Sequence, residues 1–294
     1  MKHNRKVTTV AALLLIVSFA GSVLALDRVE QARGSEATLE DILYISSGKT
    51  LKRMSLGYSG LLAAVYWTRA VQYFGSRVRR STRFDLLAPL LEITTDLDPH
   101  LIPAYQTGSL FLCQKIPYGA GQPDKAVALL EKGIRENPEY WRLYFTLGFV
   151  HYLDRHDYKA AQQAFEKGSE VPGALPWMKT MAARMAVHSG DRGTAIALWQ
   201  VVYDTNPDKM TREGAAQHIA SLQTDAQIEE LERLVQAYQE RTHVLPYRWL
   251  DLVRAGLLRG IPMDSSGAAF KLMPDGTVEV ENPARFPFLG ESRK

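Results

Sequence analysis

Three alanines and three prolines keep step along the middle of this chain. Ala126, Ala161 and Ala195 are spaced by 35 and then 34 residues, and Pro138, Pro172 and Pro207 by 34 and then 35. Each proline follows its alanine by 11 or 12 residues. A period of that length marks stacked helix-turn-helix units, because one pair of helices cannot bury its apolar face alone and must lean on the next pair. The repeat predicts an all-α array that presents a curved binding surface, with no obvious active site.

The units can be followed residue by residue. One runs from Ile102 through Gly108, Ala126, Leu130 and Gly133 to Asn137-Pro138, with a Gly- and Pro-rich loop from Lys115 to Pro123 in the middle. The next runs from Tyr140 through Leu147-Gly148, turns at Arg155-His156-Asp157-Tyr158, and continues through Ala161, Phe165 and Gly168 to Pro172-Gly173. A third starts at Trp177, passes Ala182-Ala183, turns at Ser189-Gly190-Asp191 and ends through Ala195, Trp199 and Val202 at Asn206-Pro207. Small residues let paired helices approach, the large ones fill the space between, and each proline stops its helix. A degenerate first unit precedes these. Leu61, Leu62, Val65, Tyr66, Ala70, Val71 and Phe74 recur at helical spacing and predict one broad buried face. A basic loop holding Arg77, Arg79, Arg80 and Arg83 then leads to a second helix, Phe84 to Leu97.

The segment from about residue 100 to 207 resembles tetratricopeptide repeats, best at Leu147-Gly148, Ala161, Phe165, Gly168 and Pro172. The resemblance implies a TPR-like α-solenoid of about three to four units over residues 61–207. One unit carries an extra residue before Asp157, and the one before it about six extra in its loop. In that family the first helix of each unit lines the concave face. Carried over, those positions are Tyr105 and Ser109, then Arg142, Phe145, Phe149 and Tyr152, then Trp177, Thr180, Arg184 and His188. This partner-binding groove is aromatic with a few basic groups, suited to an extended or helical peptide whose carboxylate or phosphate meets Arg142 and Arg184. Phe145 and Phe149 have packing on the neighbouring helix as their competing role. The Lys and Asn arrangement that clamps a terminal carboxylate in some members is missing, which disfavours chaperone tails.

The flanks differ from the repeats. Residues 1–26 combine Lys2, Arg5 and Lys6 with a charge-free run from Val7 to Leu26 and small residues before Ala25. This predicts export, either by a signal peptide cleaved after Ala25 or by an uncleaved membrane anchor, with the body on the extracytoplasmic, periplasmic side. Without residues 1–25 the 35 basic groups fall to 32, equal to the 32 acidic ones. A neutral body argues against nucleic acid as partner, since phosphate binding needs a concentrated basic surface. Residues 27–60 read as a connector and 208–245 as a helical cap made of two helices, Thr211 to Leu222 and Asp225 to Arg241. Residues 246–294 read as a short helix, Tyr247 to Leu258, followed by strands Ala269 to Met273 and Thr277 to Val280 around Pro274-Asp275-Gly276. This last module is similar to the C-terminal region of type II secretion pseudopilins at Leu250, Leu252, Val253, Leu257, Leu258, Pro262, Asp264, Gly267, Asp275, Gly276 and Val278.

Nothing in the chain spells out chemistry. The histidines at 3, 100, 151, 156, 188, 218 and 243 include no pair three or four apart, so no helix face presents a metal-binding pair. Gly119-Ala120-Gly121 lacks what a phosphate loop needs after it, and no Gly-x-Ser-x-Gly elbow occurs. The lone Cys113 lies in an apolar run and reads as core. Neither a cofactor nor a catalytic residue is expected. The function expected is a non-catalytic scaffold for a partner protein in a secretion or pilus-type envelope assembly. The alternative is a carbohydrate- or small-ligand-binding module, or an accessory subunit of an envelope enzyme.

Overall fold

The computed structural model describes residues 47–78 and 84–291. The expected signal or anchor at 1–26, the connector up to residue 46, and Arg79, Arg80 and Arg83 of the basic loop lie outside the described residues. The helices are α1 Gly48–Met54, α2 Ser59–Val78, α3 Leu87–Leu97, α4 Ile102–Cys113, α5 Pro123–Glu136, α6 Trp141–Phe149, α7 Tyr158–Glu170, α8 Trp177–His188, α9 Arg192–Thr205, α10 Lys209–Thr242 and α11 Trp249–Arg254. A two-stranded antiparallel hairpin follows, β1 Lys271–Leu272 with β2 Val278–Glu279.

Every helix from α2 to α10 packs on the next one in the chain, and contacts that skip one helix, α3 with α5 and α4 with α6, lay successive hairpins side by side. The core is accordingly divided along the chain. One cluster runs from Leu51 to Ala164, a second surrounds Phe165 and Met178, a third Trp199 and Ala215, and a fourth joins Ile228, Leu231 and Val235 to Trp249, Phe270 and Val278. The phased residues sit in the seams. Ala126, Ala161 and Ala195 are fully buried, as are Leu130 and Phe165, with Trp199 nearly so. At Gly148 a Cβ would fall 2.7 Å from the Phe165 ring, and at Gly168 it would fall 2.5 Å from Met178 and 2.6 Å from Tyr144. Only glycine admits those approaches. Aspartates open three of the helices: Asp157, Asp191 and Asp208 accept from the backbone N–H of Ala160, Thr194 and Thr211 at 2.9, 3.0 and 2.7 Å.

The stretch before Asp157, where one extra residue was expected, departs from α-helical winding. After Phe149 the helix continues as a π-helical stretch, Val150–Arg155, which ends at His156 in the left-handed conformation. A π turn is how a helix absorbs one inserted residue without losing its axis.

Three expectations need correction. The predicted break in the cap is absent: α10 is one helix of 34 residues, because Gln223-Thr224 carries no stop signal and Thr224 and Asp225 are both buried. As a cap α10 does more than close the array, since its first half packs on α9 and its second half carries the C-terminal module. The connector contains a folded element, α1, seated on α3. The buried face of α2 is only partly the expected one: Tyr66 and Ala70 are buried and Leu62 and Phe74 pack on the core, but Ala63 and Tyr73 complete the face while Leu61, Val65 and Val71 are exposed. Leu61 and Ala63 are about 200° apart round a helix, and Phe111 of α4 selects the aromatic side by stacking on Trp67 and Phe74 at 6.4 and 3.9 Å. The C-terminal elements are shorter than expected but in the expected order.

Candidate functional site

Helices α6 and α8 bring most of the expected groove residues together. Trp141, Phe145 and Phe149 recur every four residues on α6, and Tyr152 follows three later, so their rings rise along one face. Trp141 meets Phe145 at 6.1 Å, Phe145 meets Phe149 at 4.9 Å, and Phe149 meets Tyr152 at 6.5 Å between ring centroids. From α8, Trp177 reaches across to Phe145 at 5.4 Å, edge to face, and to Phe149 at 6.3 Å. The ladder continues through Tyr152 to Tyr158 at 6.1 Å and from Tyr158 to His188 at 5.3 Å. These tilted and edge-on pairings are the favourable ones for aromatic rings.

Phe145, Phe149 and Tyr152 are half-buried, and Trp177 is 37 % exposed. The phenylalanine rings pack on their neighbours, which was the competing role named for them, and remain partly exposed. Arg142 is exposed and lies 4.6 Å over the Trp141 ring and 5.9 Å from that of Tyr140. That stacking holds the guanidinium in place while leaving its N–H groups available. Arg184 and His188 are exposed on α8, and Thr180 is half-buried with its hydroxyl unpaired.

Tyr105 and Ser109 do not join them. Tyr105 is 0 % exposed and packs over Gly133, where a Cβ would fall 2.7 Å from its ring. Burial, aided by the Glu136 carboxylate, pushes its phenol up to about 12. Ser109 is fully buried and donates to the Gln106 carbonyl at 2.8 Å. Helix α4 is enclosed because α3 and α5 pack on it and α6 touches it. Trp141 and Tyr158 were missed by the carry-over. Trp141 was legible from its four-residue step to Phe145, whereas Tyr158 arrives from α7.

The next face round α6 borders a concavity. Tyr144, Leu147 and His151 line a cavity of about 410 Å³ with Glu131, Arg135 and Lys167. The buried Nδ1 of His151 has no partner, and burial together with Arg155 holds the imidazole below its usual range. Among the described residues no group of three or more His, Cys, Asp and Glu side chains is placed to hold a metal ion, and no helix is long and apolar enough to cross a membrane. Cys113 is buried, and desolvation with the nearby Asp154 pushes its thiol up to about 12. Comparison with protein-family models, curated proteins and solved structures gave no match to this chain.

Proposed function

We propose that this protein is an exported, non-catalytic scaffold whose TPR-like array holds a partner protein against the face built by α6 and α8. The carrying observation is the aromatic ladder from Trp141 to His188, flanked by Arg142 and Arg184. Such a surface fits an apolar peptide or helix that sets one or two side chains against the Trp177 edge and an acidic group against Arg142. Sugar binding is the weaker reading, because stacking a pyranose needs a free ring face and Trp141 already carries Arg142 over its own. The hairpin at Lys271–Leu272 and Val278–Glu279 keeps the pseudopilin-like module as a reason to look for the partner in an envelope secretion or pilus-type assembly.

The test is crosslinking and capture from the native envelope, comparing wild type with an Arg142→Ala, Arg184→Ala double variant and with Trp177→Ala, after circular dichroism shows that each folds. One specific protein lost from both variants is the expected result. An unchanged set of partners would remove the α6–α8 face from consideration.

A further inference from the structure

The end of the molecule where the described chain begins carries an apolar tip with a basic collar. The turn between α1 and α2 projects Leu56 at 88 % exposure and Tyr58 at 70 %, with Met54 before it and Leu61, at 65 %, one turn into α2. Leu56 adopts φ +50°, a left-handed conformation unfavourable for a branched residue and compensated by no internal packing of its side chain. Lys49, Lys52 and Arg53 on α1 are all exposed, and from Ser47 to Val78 there is no acidic residue. The body as a whole balances at 32 basic and 32 acidic groups, so the five basic residues of 47–78 make this stretch net positive against a net negative remainder, with Asp96 of α3 the carboxylate beside Gly48 of α1.

We infer that this tip is a membrane-docking surface, in which Met54, Leu56, Tyr58 and Leu61 enter the interface of a bilayer containing anionic phospholipid while Lys49, Lys52 and Arg53 meet its phosphates. The shape distinguishes lipid from protein as occupant. Nearly free side chains on a projecting turn suit a fluid interface, where each is surrounded by acyl chain, and tyrosine belongs at headgroup level. Long basic side chains lay their stems on apolar surface and keep their charge at the phosphates. A symmetric contact with a second copy would press Lys49, Lys52 and Arg53 against the same groups of its mate, which like charges oppose. This surface is separate from the α6–α8 face and does not depend on its role.

Local immersion is the readout, because it is independent of how the residues before Ser47 attach the protein. A nitroxide is placed on the full chain at Leu56→Cys, with Met210→Cys as an exposed control site; buried Cys113 leaves the label to the introduced thiol. Collision with oxygen and with a water-soluble nickel chelate is measured alone, with phosphatidylcholine vesicles, and with vesicles containing phosphatidylglycerol. The expected result is loss of nickel access and gain of oxygen access at position 56 only, and only with the anionic vesicles. A Lys52→Gln, Arg53→Gln variant should lower the immersed-to-free ratio by roughly 25-fold, about fivefold per basic group. A label that stays in water overturns the inference. So does one shielded before vesicles are added, which would assign the tip to the chain's own upstream residues or a second copy, and so does equal immersion in neutral vesicles.

Discussion

Gly148 shows how one residue sets the distance between two helices. The Phe165 ring lies where its side chain would be, and that ring is wholly buried with further contact to Phe149 at 5.2 Å, so it has no free direction in which to yield. Gly148→Ala should therefore destabilise by about 1–3 kcal/mol, the usual range for overpacking, despite alanine's better helix propensity. Urea unfolding of the variant decides the matter: an unchanged or raised midpoint would mean that α6 and α7 are not closely packed. Residues of this kind were legible in the sequence, because a tight approach demands a small side chain whatever surrounds it. Tyr105 was not legible in the same way. Its place in the pattern suggested a surface, but its burial is decided by Gly133 and by α3, which packs on α4.

Among the elements, α10 departs furthest from the expectation. Its two halves serve different clusters, Ala215 and Leu222 facing α9 and Ile228, Leu231 and Val235 facing Trp249 and Phe270. Arg192 at the start of α9 adds two bonds to Glu229 at 2.9 and 2.5 Å, bridging the middle of the rod. Thr224→Pro removes a donor and clashes with the turn before it, which should cost about 3 kcal/mol or more. Limited proteolysis should then cut near residue 224. Intact chains with wild-type cutting would argue that the helix is already interrupted there. The helix ends and seam positions were readable because prolines and small residues recur at fixed offsets, and the joint was misread because a change in pattern is not itself a helix stop. The π-helical stretch Val150–Arg155, by contrast, carries no signal of its own in the sequence.

Across the whole molecule the chain's last described residues return to the array. His218 of α10 is stacked between Trp199 of α9 at 4.0 Å and Phe288 at 3.5 Å, and the Gly290 N–H donates to both carboxylate oxygens of Asp225 at 3.1 and 3.0 Å. Burial, with Arg184 adding to it, lowers His218 from 6.5 to about 4, outweighing the Glu291 carboxylate 3.9 Å away. Between those two values the unfolded chain binds the extra proton, so stability rises with pH there. On acidification the loss begins near pH 6.5 and is complete below about 4, amounting to about 3 kcal/mol. Urea midpoints measured from pH 7 to 4 should show this slope and His218→Phe should flatten it; an equal slope in the variant would assign the acid sensitivity to other groups. The continuous α10 has a further consequence. At 34 residues it is a rod about 50 Å long, without a hinge between the module it carries and the array it rests on. A pull applied to the C-terminal hairpin is delivered along that rod to the Trp199–His218 stack, so force on one end of the protein is felt as shear in the middle.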